Sequence, residues 1–229
     1  MLAKYLNGED SGQYREAALT AAREVLAQGA TGELGTRDLN SVFEFLQRYG
    51  DASVVPDLEK AAAHWDHYAA MALAGLPNEA GIPALIRLAE NTSGEAGASR
   101  EPALRSLAQV APVSAQAGSA LLEQARLGNI QSSTWPDIAA ALAGFSLRYG
   151  NNVFPDGAVT RGDTRSFRIS TGNQNYRGVQ LNDTLPPAQI QQHLGYIDQL
   201  LQVPSVASDS AAVSALYGAR NLLVTRAKK

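Results

Sequence analysis

The sequence predicts an all-α chain built of stacked antiparallel helix pairs, interrupted once by a loop-rich insertion with a short β-hairpin. Three observations carry this expectation. Apolar residues recur at the i, i+3, i+4 spacing of amphipathic helices through most of the 229 residues. Pro, Gly and Asn punctuate the chain at intervals too short for long helices. And one block, 71–90, which reads as a helix end, a tight turn and a helix start, recurs elsewhere in the chain.

Taken in order, the first helix is expected from Ser11, as cap, to about Gln28, with Tyr14, Ala18, Leu19, Ala22, Val25 and Leu26 inward and Gly29 as the stop. Residues 29–35 are a loop. Thr36 caps a second helix with the face Leu39, Val42, Phe43 and Leu46, which ends at Gly50. Asp51 restarts the chain in a helix holding Val54, Val55, Pro56 and Leu58. Trp65, Tyr68, Ala69, Ala72, Leu73 and Leu76 form the next apolar face, and Pro77 stops that helix. Asn78 and Glu79 are expected to accept the orphan N–H groups of the following helix, in which Pro83 stands early and Ile82, Leu85, Ile86 and Ala89 face inward.

Shifting 42–61 by 27 positions sets Leu46 on Leu73, Tyr49 on Leu76, Val55 on Ile82, Pro56 on Pro83 and Leu58 on Leu85. A looser copy spans 101–127, with Leu104, Leu107 and Val110, then Ala111 and Pro112, then Ala117, Ala120, Leu121 and Ala125; 91–100 is a polar surface loop before it. A fourth first helix runs over 135–145, where Leu142-Ala143-Gly144-Phe145 echoes Leu73-Ala74-Gly75-Leu76. Its partner is delayed by about forty residues. Only at Pro186-Pro187 does a helix with Ile190, Leu194, Ile197 and Leu201 begin, followed by a last helix from Ser208 to about Arg226 with Val213, Leu216, Tyr217, Leu222 and Leu223. Within the insertion, 166–170 and 176–181 alternate as two short strands would. The expected organisation is therefore an N-terminal helix and linker (1–35), helix pairs (36–145), the insertion (146–185) and a C-terminal helix pair packing on the rest (186–229).

With Pro56-Asp57-Leu58 and Pro83-Ala84-Leu85 on second helices, the repeats resemble the HEAT-like family of α-solenoids over roughly residues 36–145 and the helix from 186. The first spacing is shorter than that family's usual unit, the third copy lacks the Pro, and the family's conspicuous Asp and Arg are absent. The resemblance implies a one-dimensional stacked core with a curved binding surface, and no chemistry.

Composition narrows the function classes. A chain with 45% hydrophobic and 18% charged residues buries a substantial core, and the lack of Cys removes disulfides and thiolate metal sites. Nothing in the first 30 residues forms an apolar signal core and no run approaches a membrane span, so a soluble chain is expected, cytoplasmic or exported after signal removal. Charge is uneven: 1–145 carries 10 Lys and Arg against 17 Asp and Glu, whereas 146–229 carries 9 against 5. The acidic total argues against a nucleic-acid binder, which presents a basic face.

No catalytic constellation stands out. His64 and His67 share a helix at i, i+3, but two ligands do not make a metal site, and the His-Glu pairs of HEAT-like di-iron hydroxylases are missing, so neither metal nor cofactor is expected. The carboxylate pairs Glu9 with Asp10 and Asp57 with Glu59 fall on expected surfaces, without the burial that tunes a general acid. The insertion instead gathers Arg148, Arg161, Arg165, Arg168 and Arg177 with Tyr149, Phe154, Phe167 and Tyr176, and Trp135 stands just before it. Arg and aromatic side chains dominate binding hot spots. The leading expectation is thus a non-catalytic scaffold that binds a protein or peptide partner. Two other readings stay open: a helical accessory domain of an enzyme such as a zinc aminopeptidase, and a carbohydrate or small-ligand module using Trp135 and Tyr149.

Overall fold

The computed structural model describes residues 14–29, 36–91, 99–144, 166–167, 179–180, 185 and 187–228. These are helical almost throughout, and the chain divides into two compact units, one holding the described residues through Ala103 and the other those from Leu104.

In the first unit, α1 (Arg15–Gly29) buries Ala18, Leu19, Ala22 and Leu26 along one stripe. Tyr14, expected on that stripe, precedes the helix and is half exposed. The stripe of α2 (Thr36–Tyr49) is Leu39, Val42, Phe43 and Leu46, widened by Phe45. Asp51 then accepts hydrogen bonds from Ser53 N (2.9 Å) and Ser53 Oγ (2.6 Å), starting the 3-10 turn Ala52–Val54 that leads into α3 (Val55–Ala61). These bonds, the side-chain one foremost, hold the Asp51 carboxyl below its usual range.

The helix α4 (Asp66–Gly75) differs from the amphipathic reading. All six residues from Tyr68 to Leu73 are buried, because α2, α3 and α5 (Ile82–Glu90) all pack on it. Tyr68 stacks on Phe43 at 5.5 Å between ring centres, while Trp65 stands at the N-cap, only part-buried. Asn78 and Glu79 do not cap α5. Both take left-handed conformations (φ 54° and 56°) in the 3-10 turn Pro77–Glu79, reversing the chain, and the N-cap position falls to Gly81. Ser99 and Arg100, expected in a surface loop, instead begin α6 (Arg100–Val110): Ser99 is 1% exposed and donates its Oγ hydrogen to Ala62 O at 2.7 Å, and Arg100 donates to Ala89 O at 2.9 Å.

Packing in this unit follows a simple rule. α1 touches α2 and α3, α2 touches α4, α3 touches α4 and α5, and α4 touches α5, so each helix meets its successor or the next but one. Two ion pairs between helices follow the second relation. Arg23 of α1 binds Asp57 of α3 at 2.7 Å, and Arg87 of α5 grips Glu59 of α3 through two hydrogen bonds of 2.8 Å. Both carboxylates read as solvated surface groups in the sequence therefore have guanidinium partners.

The second unit continues α6 and adds α7 (Ala115–Arg126), capped by Ser114 Oγ accepting from Ala117 N at 3.2 Å. The 3-10 turn Ser132–Thr134 leads into α8 (Trp135–Leu142), which is buried at every position except Pro136. Arg105 of α6 and Asp137 of α8 form a buried ion pair, 7% and 9% exposed. A two-residue antiparallel pair follows, β1 (Ser166–Phe167) with β2 (Val179–Gln180), in the register Ser166 to Gln180 and Phe167 to Val179. The other residues of the two expected strands and their turn lie outside the described residues.

Then come α9 (Pro187–Leu201), a short α10 (Pro204–Ala207) and α11 (Ser210–Ala227). Ser208, expected to cap the last helix, ends α10, and Asp209 takes the cap by accepting from Ala211 N (2.9 Å) and Ala212 N (3.1 Å). Its other oxygen accepts from Ser132 Oγ at 2.6 Å, the bond that most lowers its pKa. Tyr217, expected inward, is half exposed: α11 buries Ala212, Ala215, Leu216, Ala219, Leu222 and Leu223 against α8, α9 and α10.

Two substitutions test this packing. A Cβ on Gly81 would lie 2.1 Å from the backbone oxygen of Leu73, so Gly81→Ala is expected to cost at least about 1–3 kcal/mol in urea unfolding. Asp137→Asn takes the carboxylate away from the buried Arg105 guanidinium and is expected to cost about 3–5 kcal/mol, whereas the double variant Arg105→Met with Asp137→Leu recovers most of it.

Candidate functional site

The forty-residue excursion between α8 and α9 begins and ends at one place. Gly144, in a left-handed conformation (φ 89°), follows the end of α8, and a Cβ there would lie 3.1 Å from Leu185 Cδ2 and 3.5 Å from Leu185 Cβ. Leu185 stands two residues before α9. The described residues therefore close the connection between the helices on themselves.

Side chains of α9 and α10 secure this base. His193 is 3% exposed, and its Nδ1 donates to Leu142 O, the last residue of α8, at 2.6 Å. Tyr196 donates its Oη hydrogen to Gly118 O of α7 at 2.7 Å, and Ser205 of α10 donates to Ala125 O near the end of α7. Tyr196 closes in because position 118 is Gly: a Cβ there would sit 3.1 Å from Tyr196 Cε2. Burial pushes the Tyr196 hydroxyl pKa up. Burial, the larger effect, lowers the His193 pKa against the raising effect of its bond to Leu142.

Sequence periodicity did not single out His193, Tyr196 or Ser205. The available hint was positional: His193 and Tyr196 fall among Ile190, Leu194 and Ile197 on the inward stripe, where a polar group must find a partner.

Of the sequence-predicted partner residues, Arg148, Tyr149, Phe154, Arg161, Arg165, Arg168, Tyr176 and Arg177 lie outside the described residues. Phe167 is placed by its backbone, in β1 opposite Val179. Trp135, the first residue of α8, is 2% exposed, as a packing anchor is. His64 is exposed, and His67 is part-buried beside Asp66, whose Oδ1 accepts from the His67 backbone N at 2.6 Å and lies 3.8 Å from the ring Nε2. Among the described residues no three His, Cys, Asp or Glu side chains come together as a metal site would need, and no helix is long and apolar enough to cross a membrane.

The second unit also carries a cleft of about 290 Å³ where the last turn of α7 meets the turn from α9 to α10. Leu122, Val203 and Pro204 supply its apolar lining, and Gln199, Gln202 and Arg126 its polar one. Arg126 is 63% exposed and pairs with Glu123 at 3.8 Å. These are groups that bind, through amides, a cation and apolar contact.

Comparison of the chain with protein-family models, with curated proteins and with solved structures gave no match.

The buried His193 makes stability depend on pH. Its folded pKa is lowered, so the neutral ring is favoured on folding. The contribution is complete above the unfolded value of about 6.5 and is lost as pH falls below it towards the folded pKa. Urea midpoints are expected to fall between pH 7.5 and 5.5, and His193→Gln, which keeps an N–H donor, is expected to flatten that fall relative to the parent protein.

Proposed function

We propose that this chain is a non-catalytic scaffold for a protein or peptide partner, in which helix pairs stacked in the HEAT-like manner carry the 145–184 excursion as the principal binding element. The observation that carries the reading is the meeting of Gly144 with Leu185. Helix–helix connections in compact domains take about 2–8 residues, and connections much beyond 12–15 residues are mostly functional or linkers. An excursion of this length, returning to its point of departure, is not needed to join α8 to α9.

The composition of the excursion supports recognition as its task. Arg148, Arg161, Arg165, Arg168 and Arg177 supply planar, multiply donating cations, and Tyr149, Phe154, Phe167 and Tyr176 supply large surfaces with few rotatable bonds. The next-but-one helix contacts of the first unit are those stacked helix pairs make, which supports the repeat reading of the supporting core.

The test is a shortened chain with 145–184 replaced by Gly-Ser-Gly. Its melting temperature is expected to stay within about 4 °C of the parent, equivalent to about 1 kcal/mol. A partner recovered by proximity labelling and then purified is expected to bind the parent chain in calorimetry and not the shortened one, with Arg165→Ala and Arg168→Ala together weakening it about tenfold or more. Full affinity in a folded, shortened chain would overturn the reading.

A further inference from the structure

A second binding element follows from the cleft on α7 and the α9 to α10 turn, which draws on helical and turn residues alike and stands apart from the excursion in its chemistry. We propose that this cleft holds an extended peptide segment of a partner, through one bulky aliphatic side chain followed by an acidic residue.

Each part of that ligand answers a feature of the cleft. The apolar lining of Leu122, Val203 and Pro204 within about 290 Å³ has room for a Leu-sized side chain and the backbone that carries it. Gln199 and Gln202 lie three residues apart on one wall, and each primary amide carries both a donor and an acceptor. That pairing suits the peptide groups on either side of the buried side chain, so the bound chain continues in both directions. No carboxylate is among the described residues that line the cleft. Its charged group is Arg126, and the guanidinium is engaged on its Nη1 side by Glu123 at the long distance of 3.8 Å. With five N–H donors in a planar fork, it retains donors to aim at an incoming carboxylate.

The architecture keeps this arrangement open and in place. Ser205 ties the start of α10 to Ala125 O, and Tyr196 ties α9 to Gly118 O, so both walls are set by side chains outside the cleft. Arg126 itself stays 63% exposed at the end of α7, so its guanidinium is open to an incoming group.

The test uses the full chain and short blocked peptides, followed by the side-chain amide signals of Gln199 and Gln202 and the Nε signal of Arg126 in 1H–15N spectra. Acetyl-Leu-Asp-amide is expected to shift all three saturably, and acetyl-Leu-Asn-amide to bind about tenfold more weakly. Arg126→Gln should erase that difference while the melting temperature holds, since the side chain is exposed. Equal response to the two peptides, a stronger response to acetyl-Asn-Leu with a free terminal carboxylate, or shifts confined to other residues would each overturn the proposal. None of these outcomes bears on the excursion, whose removal leaves the cleft residues untouched.

Discussion

The second unit depends on a small set of hydrogen bonds from side chains of α9 and α10 to main-chain oxygens of α7 and α8. His193 reaches Leu142, Tyr196 reaches Gly118, and Ser205 reaches Ala125. One accepting oxygen, that of Leu142, ends its helix, where carbonyls lack partners within the helix and burial without one is costly. His193 supplies that donor, and the three bonds together fix where α9 and α10 lie. With α9 placed beside the end of α8, Leu185 meets Gly144, and everything between them becomes an excursion and not a connection.

Charge pairs extend the same logic through both units. Arg23 with Asp57, Glu59 with Arg87, Arg105 with Asp137, and Asp198 with Arg220 each join a helix to the next but one. The exposed pairs add little to stability, because solvent screens them and ordering long side chains costs entropy. The buried pair of Arg105 and Asp137 is different in kind, since losing one member strands a charge in the core. Their shared geometry ties alternate helices together, a relation that apolar packing alone specifies loosely.

How legible this was in the sequence depends on the range of the interaction concerned. The stripes of α1, α2, α5 and α7 were readable because burial on one side imposes the 3.6-residue period directly. Of the positions that the 27-residue shift pairs, Leu46 and Leu73, and Leu58 and Leu85, are fully buried, and Pro56 and Pro83 both stand in first turns. The period failed for α4, where neighbours on several sides remove the polar face that would have marked it. Tyr14 and Tyr217 misled because an aromatic at the right spacing reads as core, and both are half exposed.

Turns and polar contacts were the least legible. Asn78 and Glu79 fit a helix start by residue type, yet the need to reverse the chain placed both in left-handed conformations. His193, Tyr196, Ser205 and the cleft around Arg126 draw on segments up to about eighty residues apart, which no local pattern reports. By itself the sequence determined the all-α class and most helix positions, consequences of short-range periodicity and backbone chemistry. The tertiary structure alone decided which helices pair through charge, which carbonyls the α9 side chains satisfy, and that the two ends of the interruption touch, because those depend on distant residues meeting in space.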